Sequence, residues 1–171
     1  FTAKTFAIMT DYGPHSFWLS NNITKLFVGS DLAKKETVKR GINKDNILVT
    51  GIPTTDEFLK DFNVPKLKKE HGLNEEKKTI FLMSGGFGVG PMNKMLLSLN
   101  TCNSNIQVVV VCGHNKQVYK DIIELKSSLK YPVVVFGFTD KVAELMAVSD
   151  IMITKAGGIS VTEALVSCIP M

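Results

Sequence analysis

Two glycine clusters contain the residues of this sequence that are best suited to hold a phosphate. The first, residues 84–90 (Ser-Gly-Gly-Phe-Gly-Val-Gly), follows a run of strand-forming residues and precedes a helical pattern. Glycines let backbone N–H groups approach a phosphate closely, and a helix N-terminus favours negative charge. The spacing lacks the third glycine of a dinucleotide fingerprint and the Gly-Lys-Ser/Thr of a Walker loop. On spacing alone, an anion site at Gly85 and Gly86 and a tight turn without a ligand are equally good interpretations.

The second cluster, residues 155–163, reads Lys-Ala-Gly-Gly-Ile-Ser-Val-Thr-Glu. Gly157 and Gly158 present backbone at a second predicted helix start, and Lys155 places a cation beside them. Glu163, predicted in the first turn, would accept hydrogen bonds from a ribose diol. However, Ser160 and Glu163 also have the spacing of a capping box, in which the Glu only closes the helix end. Lys155 would likewise serve as a surface lysine, so both interpretations stay open.

A third group combines Asp11, His15 and Trp18. Histidine acts as a general base near neutral pH, and a neighbouring carboxylate invites that hypothesis. A lone loop histidine is more often structural or solvent-exposed. Asp11 and His15 are therefore weak acceptor-side candidates, ranked as structural before catalytic, while His71 and His114 give no usable signal.

Short β-rich runs alternate with helical patterns and would position these residues. The predicted strands are residues 6–10, 26–29, 47–50, 79–83, 107–112, 133–136 and 151–154. A capped helix is predicted between residues 30 and 41, and apolar residues at helical spacing predict further helices near residues 92–99, 118–129, 142–146 and 161–168. From residue 79 onward, this alternation predicts a parallel sheet covered on both faces, with ligands at the carboxyl ends of its strands.

Composition narrows the function classes. The chain of 171 residues is 44% hydrophobic and 21% charged, which is typical of a globular protein, and no apolar run approaches the ~20 residues of a membrane-spanning helix. Its net charge of +4 comes from scattered lysines with a single arginine, which disfavours nucleic-acid binding. The spacing of Cys102, Cys112 and Cys168 predicts free thiols and no metal site. Neither end looks like a natural terminus, so we expect a fragment.

From Phe136 to the end, the sequence resembles the donor-binding domain of a family of GT-B glycosyltransferases. That family includes the peptidoglycan N-acetylglucosaminyltransferase, plant monogalactosyldiacylglycerol synthases and bacterial processive diacylglycerol glucosyltransferases. Residues 155–163 are the most specific part of the resemblance. Upstream motifs bring the chain closest to the diacylglycerol branch: Thr10-Asp11, His15, Trp18, Gly51-Ile-Pro53 and Val108–Gly113.

The resemblance implies a fold class, domains and a site. We expect an α/β protein with a GT-B type, Rossmann-like parallel sheet. Residues 1–52 would end the N-terminal acceptor-side domain, residues 53–78 would form the linker, and residues 79–171 would form a truncated, nearly complete C-terminal donor domain. Carried over by position, the Thr139 backbone would meet the uracil edge and Glu163 would hold the ribose hydroxyls. The diphosphate would be surrounded by Gly85, Gly86, Gly157, Gly158 and Ser160, with Lys155 beside it.

The implied reaction is inverting, metal-independent transfer of a hexose from a UDP-sugar to diacylglycerol or a glycosyl-diacylglycerol. The UDP-sugar is the substrate, no cofactor is expected, and the catalytic base would lie in a part of the enzyme that this chain lacks. A lipid acceptor implies a cytoplasmic enzyme, peripheral at the inner face of the membrane, although no basic amphipathic helix stands out. Two departures from the family pattern are Thr54-Thr55, where an arginine is common, and Ala156, where proline is common. We expect the fragment alone to bind UDP weakly and to turn over poorly.

Three alternatives remain. A transferase with a polyprenyl-linked acceptor or a UDP-sugar epimerase of the same fold would have similar donor motifs. A non-catalytic nucleotide-binding module would bind the nucleotide without transferring sugar, and its UDP affinity would survive Glu163→Gln because the Glu would be only a cap.

Overall fold

The chain folds into two compact α/β units. In the computed structural model the described residues are 3–20, 22–86, 90–102 and 105–171. Phe87–Val89 of the first glycine cluster and the side chain of Trp18 lie outside the described part. One unit comprises residues 1–55 with 157–162, and the other comprises residues 56–156 with 163–171.

The first unit contains a three-stranded parallel sheet in the order β1-β2-β3. Its elements are β1 (Phe6–Ile8), β2 (Lys25–Val28), α1 (Asp31–Lys39) and β3 (Ile47–Val49). The Ser30 side chain accepts the Ala33 N–H at 3.1 Å and so caps α1, as the sequence predicts. One face of the sheet forms the core through residues such as Leu26. The other face leaves Phe6 61% exposed, because the unit's buried cluster lies on one side only.

The second unit is built around a four-stranded parallel sheet in the order β6-β5-β4-β7. Its strands are β4 (Lys78–Met83), β5 (Ile106–Val111), β6 (Val133–Phe136) and β7 (Ile151–Thr154). The helices of this part of the chain are, in chain order, α2 (Val64–Glu70), α3 (Met92–Leu99), α4 (Lys116–Leu125), α5 (Val142–Ala147) and α6 (Gly158–Val166). The first residues of α6, up to residue 162, are grouped with the first unit. The predicted strands and helices are therefore present, and the α/β prediction is confirmed.

Both faces of this second sheet are covered. On one face Phe81 and Val109 pack in a cluster with Leu145 of α5. On the other face the neighbouring strand residues pack in a second cluster with Leu96 of α3 and Ile122 of α4. Continuous apolar strands such as β5 are explained by this burial on both sides.

The register aligns the carboxyl ends of all four strands. Thr154, Met83, Val111 and Phe136 pair in one line across the sheet. The chain leaves β4 toward β5 and β6, and returns to pair β7 on the other side of β4, which makes a topological switch point between β4 and β7. Both glycine clusters begin at that point.

The last helix differs from its predicted buried stripe. Ala164 is buried as expected, but Leu165 is 62% exposed. Cys168 lies beyond the helix end at Val166 and has a left-handed φ of 54°, so it does not continue the helical spacing. The predicted stripe is therefore wrong at these two positions.

Candidate functional site

The turns after β4 and β7 lie against each other. Gly85 has a φ of 71°, a conformation that glycine adopts without strain. The side chain of Lys155 crosses this turn so closely that a Cβ at Gly85 would lie 2.9 Å from the Lys155 Cε atom. A residue larger than glycine would displace the lysine. The structure thus brings two of the predicted site residues together and places a positive charge over the first glycine turn.

A small cavity lies beside this contact, and one of its wall residues, Thr154, has a buried hydroxyl without a partner among the described residues. The cavity measures about 90 Å³, and its walls include Ser84, Gly90, Thr154 and Lys155. The Thr154 Oγ1 atom is buried and accepts or donates no hydrogen bond among the described residues. A buried polar atom without a partner is costly, and a bound oxyanion would remove that cost. Sequence reasoning missed Thr154, whose only signal was its place at the end of a buried strand.

The start of α3 faces the same cavity. Pro91 is the N-cap residue, and no described side chain caps the helix there. The N–H groups of a first helical turn have no partner within the helix, and they favour a nearby anion. Together with Lys155 and Thr154, this helix start gives the cavity the chemistry of a phosphate subsite.

Helix α6 begins within the second glycine cluster, before the position that a capping box at Ser160 would require. The helix begins at Gly158, and the Val161 N–H donates to the Gly157 carbonyl at 3.0 Å. Ser160 therefore lies inside the helix and cannot be its N-cap, so the capping-box alternative is wrong. The expectation that Glu163 lies in the first turn is also wrong, because the early start moves it to the second turn. Glu163 is half-buried, and this burial raises the pKa of its carboxyl above the usual 4.5.

The turn after β6 carries Thr139. Its side-chain Oγ1 accepts the Lys141 N–H at 3.1 Å, which fixes the turn. Within the described residues, neither the N–H nor the carbonyl of the Thr139 backbone has a backbone partner. The resemblance predicts that these groups meet the uracil edge, and this stays a prediction. The preceding residue, Phe138, is 66% exposed.

His15 has a structural contact in the first unit. Its Nδ1 atom accepts the Phe17 N–H at 3.4 Å and caps the short 3-10 helix Ser16–Trp18. Both Asp11 and His15 are exposed. This geometry supports the structural interpretation of His15 and gives no catalytic role to Asp11.

Groups of metal ligands and membrane-spanning helices are both absent from the described residues. Over the described ranges, no three His, Cys, Asp or Glu residues group in a way that could hold a metal ion. No helix in the part of the chain that the structure describes is long and apolar enough to cross a membrane.

Comparison with known families matches both ends of the chain. The model of monogalactosyldiacylglycerol (MGDG) synthase matches residues 2–54, and the model of the glycosyltransferase family 28 C-terminal domain matches residues 79–171. Curated relatives named processive diacylglycerol beta-glucosyltransferase are 35% identical in Bacillus pumilus and 33% identical in Bacillus subtilis, each over 167 residues. A relative of the same name in Staphylococcus aureus is 34% identical over 165 residues. These alignments cover 96–98% of this chain but only 42–44% of the relatives.

Solved structures share the fold. A glycosyltransferase from Rickettsia africae matches with a TM-score of 0.65 and 20% identity, over 99% of this chain and 51% of that one. Anabaena Alr3699/HepE in complex with UDP matches with a TM-score of 0.64 and 14% identity, over 98% of this chain and 52% of that one. At these identities the likeness establishes the architecture alone, which is the predicted Rossmann-like fold of GT-B enzymes.

Proposed function

Because the chain belongs to the glycosyltransferase family 28 C-terminal domain family, we propose that it forms the donor site of a UDP-hexose-dependent hexosyltransferase. The acceptor in this proposal is diacylglycerol or a glycosyl-diacylglycerol, and the transfer is inverting and metal-independent. The observation that carries the proposal is the Lys155 side chain lying over the Gly85 turn, next to a cavity whose walls include Ser84, Thr154 and the start of α3. That arrangement suits a leaving diphosphate.

The proposed site has three parts, all following strand ends. The Thr139 backbone reads the uracil edge, and the Glu163 carboxylate accepts hydrogen bonds from the ribose hydroxyls. The diphosphate is bound by the remaining predicted residues together with the newly found threonine: Gly85, Gly86, Thr154, Lys155, Gly157, Gly158 and Ser160. We propose residues 79–171 as the donor domain, residues 1–52 as part of the acceptor-side domain, and residues 53–78 as the linker between them.

The chemistry follows from where charge develops. The acceptor hydroxyl attacks the anomeric carbon of the hexose, the bond from that carbon to the β-phosphate oxygen breaks, and the configuration inverts. Negative charge grows on the departing UDP, where the Lys155 ammonium, the turn N–H groups and the helix starts stabilise it. The proton of the acceptor hydroxyl passes to a general base, and none of the residues discussed above is assigned that role.

The acceptor is proposed from the relatives. The curated relatives are named as diacylglycerol glucosyltransferases, and the MGDG synthase model matches the first 54 residues apart from Phe1. The chain spans less than half the length of those relatives, so this acceptor is a proposal for the whole enzyme rather than for these residues alone.

A lipid acceptor also places the proposed enzyme at a membrane surface. A groove of about 510 Å³ beside α1 is lined by Asp31, by Val38 and by four lysines, Lys34, Lys35, Lys39 and Lys44. Leu32 of the same helix is 66% exposed. Lysines near an anionic membrane contribute about 1 kcal/mol each. Replacing the exposed Lys35 and Lys44 by glutamine should therefore weaken binding to anionic vesicles by roughly tenfold to thirtyfold, with UDP affinity unchanged.

The proposed function is tested by calorimetry and transfer on the full-length protein. UDP, UDP-glucose and UDP-galactose should bind, and radiolabelled hexose should then pass to diacylglycerol. Lys155→Gln should lower UDP affinity, whereas Lys130→Gln, the same charge change at the opposite end of the strands, should not. UDP binding without sugar transfer would support the non-catalytic module, and absence of UDP binding would overturn the proposal.

A further inference from the structure

The turn after β5 is hydrogen-bonded to the first glycine turn. The backbone N–H of His114 donates to the Gly86 carbonyl at 2.9 Å. Gly113 has a φ of 58°, and a Cβ at this position would collide with the same Gly86 carbonyl. This close approach fixes His114 relative to the turn that is proposed to bind the diphosphate.

The side chain of His114 extends toward the turn after β6. Its ring stacks on the Phe138 ring, with centroids 4.2 Å apart and an interplanar angle of 16°. An exposed phenylalanine on its own samples several rotamers, and a stacked partner restricts that freedom. Phe138 immediately precedes Thr139, so the stack also holds the turn that is proposed to meet the uracil edge.

A cavity opens beside the stacked rings. It measures about 500 Å³, and its walls include Gly113, His114, Tyr119, Gly137 and Phe138. A nucleobase is a planar ring that gains by stacking on an aromatic face. The cavity therefore offers such a face next to the available backbone groups of Thr139.

We propose that His114 is a positioning residue for the donor nucleotide. It holds Phe138 as a stacking platform for the uracil ring, and its backbone ties that platform to the diphosphate turn at Gly86. The base and the diphosphate are thereby bound at a fixed separation. This role depends on the proposed UDP-sugar site, and it assigns a function to a histidine whose sequence context gives none.

The test separates the aromatic contact from the backbone contact. His114→Leu in the full-length protein keeps the N–H bond to Gly86 but removes the stack. UDP should then bind roughly threefold to tenfold more weakly, the usual range for an aromatic pair. The inhibition constant of inorganic pyrophosphate should stay unchanged. His114→Phe should restore UDP affinity to within about twofold of wild type. Phe6→Leu, which removes an exposed aromatic ring of the first unit that does not line this cavity, should leave UDP affinity unchanged.

A double-mutant cycle of His114→Leu with Phe138→Leu completes the test, and Phe138→Leu alone, which should also weaken UDP but not pyrophosphate, remains informative if His114→Leu folds poorly. Phe138 is exposed, so its replacement leaves the core intact. The losses of UDP affinity from His114→Leu and Phe138→Leu, alone and combined, should not add, because both act through one stack. Additive losses, or equal weakening of UDP and pyrophosphate by His114→Leu, would overturn the assignment. Failure of the wild-type protein to bind UDP would instead refute the proposed function.

Discussion

Replacing Glu163 by glutamine is expected to weaken UDP binding while leaving the fold intact. The residue is half-buried in the second turn of α6, where it cannot close the helix start. Glutamine keeps the shape of the side chain and removes its charge. A hydrogen bond to a charged group contributes about 1.5–3 kcal/mol, so the loss should raise the dissociation constant of UDP by roughly tenfold to a hundredfold. Because burial disfavours the charged carboxylate, the free energy of unfolding at neutral pH should stay the same or rise.

The assay compares UDP with 2′-deoxyuridine diphosphate by calorimetry. The wild-type protein should prefer UDP, because the deoxy ligand lacks one of the hydroxyls that Glu163 is proposed to hold. The Glu163→Gln variant should bind the two ligands with similar affinity. Ser160→Ala serves as the stability control, since loss of a true N-cap would cost about 1 kcal/mol. An unchanged UDP affinity together with a lower melting temperature for Glu163→Gln would refute the proposed ribose contact. It would support a capping role for Glu163 instead.

The same carboxyl predicts a dependence on pH. Its pKa is raised by burial in the folded protein, so the folded state binds this proton more readily than the unfolded state. The resulting stabilisation is fully present below the unfolded pKa of about 4.5, and it is lost as the pH rises through the raised value. Ribose hydroxyls need the ionised acceptor, so UDP affinity should fall as the pH drops through that raised pKa. The Gln variant should lack this step, while titration of the phosphate itself affects both proteins equally.

Three further substitutions test the rest of the site and its support. Thr154→Val should leave the melting temperature unchanged or raise it, because it removes an unpartnered buried hydroxyl, and should weaken UDP binding by roughly threefold to tenfold in calorimetry. Gly85→Ala should lower the free energy of unfolding by about 1–2 kcal/mol in urea and should also weaken UDP binding by displacing Lys155. Gly72→Ala, at a similar φ of 69° in open space, should show the stability loss alone. Gln107→Leu should cost about 1–3 kcal/mol of stability, because this buried amide accepts a hydrogen bond from the Asn74 N–H and donates one to the Asn74 carbonyl.

The fold could be predicted from sequence because its elements have local patterns. The four strands of the second sheet lie within one residue of their predicted bounds, since long apolar runs between turn residues have few other solutions. The end of α6 could not be predicted in the same way. Leu165 fits the helical stripe by spacing but is exposed, because burial depends on which neighbours the helix has and not on its own period.

Candidate site residues could be predicted from sequence only where the residue type itself, such as glycine, indicates a function. The contact between Gly85 and Lys155 joins two residues that the sequence marks as site candidates, because glycine allows close approach to the backbone. The roles proposed for His114 and Thr154 could not be predicted from sequence, because they depend on contacts between strands.

The role proposed for His114, which follows β5, depends on its contact with Phe138. The pairing of Val111 with Phe136 brings these two residues together. The role proposed for Thr154, at the end of β7, depends on its pairing with Met83, because this pairing brings the first glycine turn alongside. Because side chains alternate between faces, a slip of one residue in either pairing would separate these groups. Strand register therefore brings three separate turns together in the proposed nucleotide site, and no single loop of this chain is expected to bind UDP by itself.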